Sequence, residues 1–356
     1  MGGLPPAISA GKGNPEQRPT MTSLPRREFL MQSGMWGGAA LATAGSVAAS
    51  SVASSAAAAE AGAKPATQAS AIAGRPADEP FGYCFNTSTI REQKLGIVAE
   101  LELIAKVGYD AVEPWMRQLS EYADGGGSLK DLGKRIADLG LTVESAIGFA
   151  QWIVDDEAAR AKGMEDAKRD MDLLAQIGGK RLAAPPTGAQ KLTGMDLFKI
   201  AERYGKLCEL GEQMGVVPEV EVWGHSQTLG RLGEAVFVAV ESGHRNACLL
   251  PDIYHIFKGG SDFTGLKLLS GAAIHVFHVN DYPAAPARAE QTDAHRVYPG
   301  DGVAPLKQVF QDLYANGFRG YLSLELFNRE YWAQDPEVVA RTGLEKTRTA
   351  VRAAFA

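Results

Sequence analysis

The chain has 356 residues, of which 45% are hydrophobic and 22% charged, and its formal net charge is −6. This apolar content is ordinary for a globular protein and excludes a wholly disordered chain or a polytopic membrane protein. A protein that mainly grips nucleic acid needs an excess of Lys and Arg, so the acidic balance argues against a nucleic-acid partner. Three widely spaced cysteines make neither a disulfide framework nor a Cys-rich zinc site.

The N-terminal part of the chain differs in composition from the rest. Residues 31–59 contain no charged side chain and are rich in Ala, Gly and Ser. The adjacent pair Arg26 and Arg27 stands just before this run. The arrangement resembles a twin-arginine export signal, with small residues for cleavage at Ala56–Ala59. The sequence leaves open whether the signal is cleaved or retained as an anchor.

These features divide the chain into three parts. We interpret residues 1–59 as the twin-arginine signal region, with translation starting at Met21, and residues 60–80 as a flexible linker. The expected location is periplasmic or otherwise extracytoplasmic, with membrane contact only during export. Residues 81–356 carry 30 basic and 37 acidic side chains and form the predicted folded domain.

Eight apolar, β-rich runs alternate with longer amphipathic segments in the folded part. The predicted strands are Phe81–Phe85, Ala111–Pro114, Thr142–Ile147, Lys180–Ala184, Val216–Trp223, Ala247–Pro251, Ile274–Val279 and Gly320–Leu326. Helical spacing of apolar residues marks segments such as Leu95–Val107 and Leu197–Met214. Glycines stand where helices stop and the next strands start, at Gly108, Gly140, Gly215 and Gly317. Eight such units predict an α/β fold, a single-domain (β/α)8 TIM barrel; a doubly wound sheet would need a Gly-rich loop after the first strand.

Polar residues follow the last four predicted strands. In a TIM barrel the chemistry lies at the C-terminal ends of the strands. The last polar residues that point into the barrel mouth there are Glu221, Asp252, His278 and Glu325. Three carboxylates and one imidazole would repel one another unless a cation lay among them. Such a donor set suits one divalent metal ion, and Mn²⁺, Co²⁺, Mg²⁺ and Zn²⁺ all remain open.

The motifs around these residues resemble a known family. They are Glu221-Val222-Trp223-Gly224-His225, Asp252-Ile253-Tyr254-His255, His278-Val279-Asn280-Asp281, Arg296-Val297-Tyr298-Pro299-Gly300-Asp301-Gly302 and Leu324-Glu325-Leu326-Phe327. The pattern resembles the xylose-isomerase-like barrel superfamily of sugar isomerases, epimerases and abasic-site endonucleases. The resemblance extends over residues 81–350 and is greatest to the inosose (2-keto-myo-inositol) isomerase branch.

The resemblance implies a metal-dependent proton transfer. It implies that Glu221, Asp252, His278 and Glu325 bind the metal, and that His255 and Arg296 contact substrate oxygens. A metal chelated by a ketone oxygen and a neighbouring hydroxyl stabilises an ene-diolate, and Glu221 and Glu325 are the predicted catalytic carboxylates that remove and return the proton. Return to the neighbouring carbon gives isomerisation, and return to the other face of the same carbon gives epimerisation. The sequence does not choose between them.

Two further residues are candidates for substrate contact. Glu113, at the end of the second strand, is predicted to orient the metal site or the substrate, with a barrel-interior salt bridge as the alternative. Trp152 is predicted, together with Trp223, to form an apolar wall for a sugar ring, with core packing as the alternative. The expected partner is a small carbohydrate, a keto-sugar or keto-polyol. Homo-oligomerisation is left open.

Two other functions compete with this interpretation. One is a sugar-binding protein, or a subunit of a glycoside- or keto-glycoside-processing enzyme, that uses the same pocket. The other is an abasic-site endonuclease-like hydrolase, which needs additional histidines near Glu113-Pro114-Trp115 and Ile147-Gly148-Phe149, where none stands. Asp293-Ala294-His295 retains one Asp-x-His element of that branch. The net negative charge and the export signal weigh against a DNA substrate.

Overall fold

The computed structural model describes residues 79–356. The predicted signal region, residues 1–59, lies outside the described residues, as does nearly all of the predicted linker, residues 60–80. Within the described part, no helix combines the length and the apolar character that crossing a membrane requires.

All eight predicted strands are present, and the predicted TIM barrel is confirmed. Their bounds are β1 Gly82–Asn86, β2 Ala111–Glu113, β3 Thr142–Val143, β4 Arg181–Ala184, β5 Val217–Glu221, β6 Cys248–Leu250, β7 Val276–Val279 and β8 Tyr321–Leu324. All neighbouring pairs run parallel, in the orders β3-β2-β1-β8-β7 and β4-β5-β6. The strand β1 has the predicted five residues, shifted by one position, and the other seven strands are shorter than predicted.

Backbone hydrogen bonds across two gaps close these two sheets into a barrel. Between β3 and β4, the Ala146 amide donates to the Arg181 carbonyl at 3.0 Å and the Ala183 amide donates to the Ala146 carbonyl at 2.9 Å. Between β6 and β7, the His278 amide donates to the Pro251 carbonyl at 2.9 Å. Each strand therefore has a partner on both sides, as a closed barrel requires.

Ten α-helices accompany the strands within residues 79–356. Their bounds are α1 Ile97–Val107, α2 Met116–Asp124, α3 Leu129–Asp138, α4 Glu157–Gln176, α5 Leu197–Met214, α6 Leu232–Glu241, α7 Ile253–Lys258, α8 Leu306–Ala315, α9 Arg329–Trp332 and α10 Pro336–Phe355. The helix α5 shows why these segments form where they do: the Asp196 side chain accepts from the Phe198 amide at its start, and Gly215 ends it with a φ of 71°. Only glycine adopts such a left-handed φ at little cost, which is why the helix stops there.

The main hydrophobic core lies between the helices and the outer face of the barrel. A smaller apolar layer fills the barrel itself and consists of Ile147, Ala183, Leu250 and Val276. The three cysteines Cys84, Cys208 and Cys248 are buried and unpaired, as expected for small core residues. The barrel is thus a packed scaffold that holds its strand ends in fixed positions.

The strand register brings polar residues to one level. Asn86 at the end of β1 lies opposite Glu113 at the end of β2. Across the barrel, Asp252 forms a bridge with His278. Because parallel strands end at the same edge of the barrel, these side chains meet at its C-terminal mouth.

Candidate metal centre and active site

Three side chains form the centre of the site. Asp252, His278 and Glu325 each offer one ligand atom, and these atoms all lie within 4.8 Å of one another. Nδ1 of His278 is 3.2 Å from Oε2 of Glu325 and 3.5 Å from Oδ2 of Asp252. All three side chains are buried. The structure thus brings together three of the four predicted metal ligands from β7 and from the loops after β6 and β8.

The position of Asp252 follows from the start of α7. Its Oδ1 accepts a hydrogen bond from the backbone amide of His255 at 2.8 Å and so caps the helix. The other oxygen, Oδ2, is left to face Glu325 and His278. One carboxylate therefore has both a structural role and a role in the site.

Glu113 lies behind His278 and fixes its ring. Nε2 of His278 is 3.1 and 3.0 Å from the two carboxylate oxygens of Glu113, so this nitrogen donates and Nδ1 faces the centre. Ser323 Oγ and Asn86 Nδ2 also donate to Glu113, at 2.6 and 2.9 Å. Burial disfavours ionisation of Glu113, but the adjacent His278 holds the pKa of the carboxyl below its ordinary value. Metal-binding histidines are commonly oriented by such a carboxylate.

This position corrects the prediction that Glu113 contacts substrate. Glu113 is fully buried, and His278 lies between it and the centre of the site. It is also absent from the walls of the cavity described below. Of the roles considered from the sequence, the geometry favours orientation of the metal site. The same 3.0 Å contact with His278 is also the barrel-interior salt bridge that was given as the alternative.

Arg296 supplies a positive charge within the site. Its Nη1 donates to Oδ2 of Asp252 and to Oε2 of Glu325, each at 2.8 Å, and its Nη2 donates to Asp293 at 2.6 Å. Although burial disfavours the charged form, this guanidinium keeps the pKa of Asp252 below its ordinary range. The carboxylates of Asp252 and Glu325 therefore have a counter-charge from the chain itself, in addition to the predicted cation.

Glu221, the fourth predicted ligand, reaches the cavity from the end of β5. It is 3% exposed, and burial raises the pKa of its carboxyl to about 8. Its Oε2 is a buried atom with no hydrogen-bond partner among the described residues, and Nδ1 of His278 makes no well-aligned hydrogen bond although Glu325 Oε2 lies 3.2 Å away. Buried polar atoms are rarely left unpaired, so these two atoms fit a metal ion as their missing partner. The set of three carboxylates and one imidazole also fits a divalent ion.

His255 lies beside Arg296 at the cavity wall. Nη2 of Arg296 lies 3.0 Å from Nε2 of His255 and can only donate, so the ring accepts at this nitrogen. Burial lowers the pKa of His255 to about 3, so the imidazole is neutral near pH 7. Both predicted substrate-contact residues, His255 and Arg296, therefore line one wall with a neutral ring and a fixed positive charge.

A cavity of about 410 Å³ opens above the centre. Glu221, Glu325, His255 and Arg296 form part of its lining. This volume lies within the roughly 300–1,000 Å³ of pockets that hold small organic ligands. The predicted catalytic carboxylates therefore face a space in which a substrate could bind.

Trp152 does not line this cavity, and its predicted role as a wall for the sugar is wrong. The side chain is 1% exposed, and its indole Nε1 donates to the Pro185 carbonyl at 2.9 Å. Its ring packs against Tyr204 at a centroid distance of 5.9 Å. The alternative of core packing is therefore correct for Trp152, whereas Trp223 does line the cavity.

Several residues of the site were missed from the sequence. Asn86 donates to Glu113 and Glu325 at 2.9 and 3.2 Å, and Asp293 holds Arg296. Asn86 is the last residue of β1, so the rule that found the four ligands would have found it had it been applied to every strand. Asp293 belongs to the Asp293-Ala294-His295 element noted in the sequence, but its ion pair with Arg296 was not predicted. Within residues 79–356 no second group of three metal-ligating side chains comes together, since Asp293 pairs with Arg296.

Comparison with known proteins gives isomerases, 3-dehydroshikimate dehydratases and epimerases as relatives. An inosose isomerase from Bacillus velezensis is 29% identical over 276 residues, which cover 76% of this chain and 98% of the relative. A 3-dehydro-D-guloside 4-epimerase from Escherichia coli is 23% identical and covers 71% of this chain and 94% of the relative. Both relatives are matched over nearly their whole length.

The fold comparison agrees with these sequence matches. The crystal structure of the IolI protein with a bound zinc atom superposes with a TM-score of 0.71 at 25% identity, over 78% of this chain and all of that structure. The family model described as a xylose isomerase-like TIM barrel matches residues 101–350. The chain belongs to the xylose isomerase-like TIM barrel family.

Proposed function

We propose that this protein is a divalent-metal-dependent isomerase or epimerase of a keto-sugar or keto-polyol. The observation that carries the proposal is the convergence of Asp252, His278 and Glu325 within 4.8 Å, next to a cavity that Glu325 and Glu221 line. The named relatives support the class, since inosose and 3-dehydro-D-guloside are both carbonyl-bearing substrates.

Glu221, Asp252, His278 and Glu325 would hold the metal. Oε2 of Glu221, without a hydrogen-bond partner among the described residues, and Nδ1 of His278, without a well-aligned one, support this assignment, as does the zinc atom in the IolI structure. A divalent ion bound there supplies a Lewis acid, which makes a C–H group beside a keto group more acidic. The identity of the ion is open, because carboxylate and imidazole donors suit several divalent metals.

The chain's own residues orient the substrate and move the proton. Arg296 and the neutral His255 line the cavity. Because the Nη atoms of Arg296 already donate to protein acceptors, the guanidinium acts on substrate oxygens through its fixed positive charge. Glu221 and Glu325 come from β5 and from the end of β8, and both line the same cavity. One of them takes the proton from the carbon beside the carbonyl, and the same or the other carboxylate returns it.

The position to which the proton returns decides the product. Return to the adjacent carbon moves the carbonyl and is an isomerisation. Return to the opposite face of the original carbon inverts its configuration and is an epimerisation. Both outcomes need the same first step, so the relatives' two activities are consistent with one site.

The test is incorporation of solvent deuterium. The metal-loaded protein is incubated in D₂O with keto-polyols, ketohexoses and 3-keto-glycosides, and the products are examined by mass spectrometry and NMR. We expect one deuterium at the carbon beside the carbonyl if the reaction is an epimerisation, or at the original carbonyl carbon if it is an isomerisation. No deuterium should be incorporated after chelation of the metal. Absence of deuterium from every substrate that is converted would contradict proton transfer and favour a hydride shift.

We also propose that the protein acts outside the cytoplasm. The supporting observation is the pair Arg26 and Arg27 followed by the uncharged residues 31–59. Cell fractionation of the unaltered chain and of a variant with both arginines changed to Lys tests it: only the former should be exported.

A further inference from the structure

The cavity above the metal centre has two chemically different zones. Its floor carries the charged and polar side chains of Glu221, Glu325, His255, Asp293 and Arg296. Its upper wall carries aromatic side chains, namely Trp115, Phe149, Trp223, Phe327 and Trp332. We call this second set the aromatic wall. The floor accounts for a keto-polyol, but nothing in the proposed reaction needs the aromatic wall.

Four members of the aromatic wall form a continuous arc. The ring of Trp115 lies 6.0 Å from Phe327 and 5.2 Å from Phe149, and Phe149 lies 6.2 Å from Trp223, centroid to centroid. These residues follow four different strands, β8, β2, β3 and β5. The arc is therefore a surface assembled by the barrel rather than one local hydrophobic cluster.

The arc is held in place and presents its apolar surface. The indole Nε1 of Trp115 donates to Asn86 Oδ1 at 2.9 Å, and that of Trp332 donates to the Ser88 carbonyl at 3.0 Å. The guanidinium of Arg91 lies over both indoles, 5.5 and 4.6 Å from the ring centroids. Because the polar ends are satisfied by the protein, these two rings offer carbon rather than hydrogen bonds to a ligand.

Phe149 is the outermost member of the arc. Its side chain is 41% exposed at the rim of the cavity. An aromatic side chain left partly in water gives up part of its hydrophobic stabilisation. A sugar ring would cover Phe149 only with its C–H face, because its hydroxyl groups are unfavourable against ring carbon. A planar apolar group would cover Phe149 and leave no polar group unpaired.

We propose that the substrate is a keto-sugar joined to a planar apolar group, as in an aryl glycoside. The sugar lies over the charged floor, and the apolar group packs against Trp115, Phe149 and Trp223. The inference rests on the proposed function, because that function decides which end of the ligand faces the metal centre. The match to a 3-dehydro-guloside epimerase, whose named substrate is a glycoside, is consistent with a substituent at this position.

The test compares two unreactive ligands with the same sugar. Binding of phenyl β-D-glucopyranoside and of methyl β-D-glucopyranoside to the metal-loaded protein is measured by calorimetry. Neither ligand carries a keto group, so the result does not depend on turnover. We expect the phenyl glycoside to bind roughly tenfold more tightly, the size of effect that one well-packed aromatic contact gives.

Two variants locate the preference. Phe149→Ala should remove most of the difference between the two ligands, while Phe198→Ala should leave it unchanged. Phe198 is a suitable control because it is an exposed aromatic residue on α5, packed against Phe237 and away from the cavity. Thermal unfolding of both variants confirms that each is folded.

Several results would overturn the proposal. These are undetectable binding of the phenyl glycoside, equal affinity for the two glycosides, or a preference that survives Phe149→Ala. Tighter binding of methyl β-D-glucuronide than of the phenyl glycoside would also overturn it and assign the outer zone to an anionic group near Arg91. A phenyl preference without any deuterium incorporation would instead contradict the proposed reaction and leave only the binding of a planar apolar group at the aromatic wall.

Discussion

The strand β5 carries two buried glutamates, one in the barrel interior and one nearer the barrel mouth. Glu219 and Glu221 are two residues apart, so both side chains point to the same side of the strand, into the barrel. They are 0% and 3% exposed, and burial raises the pKa of each carboxyl to about 8. Burial and perturbed acidity alone therefore do not distinguish a functional carboxylate from a structural one.

The two levels differ in what surrounds the carboxylate. Glu221 faces the cavity and lies beside ligand atoms contributed by other strands. Glu219 is enclosed, and neither of its carboxylate oxygens has a hydrogen-bond partner among the described residues. Its nearest cation, Nε of Arg181, is 3.9 Å away. A carboxylate that faces a cavity and lies beside several other donors, as Glu221 does, is therefore identified as the functional one.

The largest expected effect is on kcat, when a carboxylate at the cavity and one enclosed in the barrel are each changed to an amide. Glu325→Gln keeps the size of the side chain but removes a carboxylate proposed to transfer the proton, so kcat should fall by roughly 10²–10⁴-fold. Glu219→Gln, the matched change at the enclosed level, should keep kcat close to that of the unaltered protein. Steady-state kinetics on metal-loaded protein, with circular dichroism to confirm folding, checks both. Similar losses in the two variants would mean that the two levels are not functionally distinct.

The next effect concerns the orientation of His278. Glu113→Gln weakens the bond that fixes the imidazole, so metal affinity should fall by roughly 10–100-fold, as for other groups that orient metal-binding histidines. Competition with a chromophoric chelator measures this affinity. Glu144→Gln is the control, because Glu144 is also buried but pairs with Lys180 and Arg181. Unchanged affinity in Glu113→Gln would show that Glu113 does not support the site.

The smallest effect tests burial of a carboxylate outside the barrel. Glu100 on α1 is 1% exposed, accepts a hydrogen bond from Gln118 Nε2 at 2.8 Å, and has its pKa raised by burial from 4.5 to about 7. The folded-state pKa lies above the unfolded value, so ionisation of Glu100 lowers the free energy of unfolding. This loss is absent below pH 4.5, where the carboxyl is protonated in both states, and is complete above pH 7. Glu100→Gln removes that cost and should stabilise the protein by up to about 3 kcal/mol at pH 8.

Urea unfolding at pH 4.5 and at pH 8 measures this difference. The exposed Glu209 on α5 provides the control, since Glu209→Gln should change the free energy of unfolding by less than about 0.5 kcal/mol at either pH. Equal effects of Glu100→Gln at the two pH values would contradict the assigned cause. The result would separate the cost of burial from the functional role that distinguishes Glu221 from Glu219.

Much of the site followed from strand order alone. Asp252, His278 and Glu325 each come from the C-terminal end of a different strand, and the barrel requires those ends to meet. The glycines that end helices could also be predicted from the sequence. All four adopt positive φ: Gly108, Gly140, Gly215 and Gly317. These features depend on neighbours along the chain or on a rule common to all such barrels.

Features that depend on distances between strands far apart in the chain could not be predicted from the sequence. The predicted substrate contact of Glu113 was wrong because only the packing of β2 against β1 and β8 places it behind His278. The predicted role of Trp152 was wrong for the same reason. An indole near the barrel mouth can point into the cavity or into the core, and the hydrogen bond to the Pro185 carbonyl holds this one in the core. Arg296 as an internal counter-charge was missed because it comes from a loop.

By itself, the sequence determined the eightfold alternation of strands and helices, the level of the polar strand ends and the types of donor available there. Local propensity and periodicity suffice for these. The tertiary structure decided which donors touch, which carboxylate faces a cavity and which aromatic rings line it. Those outcomes depend on contacts between residues far apart in the chain, which periodicity does not encode.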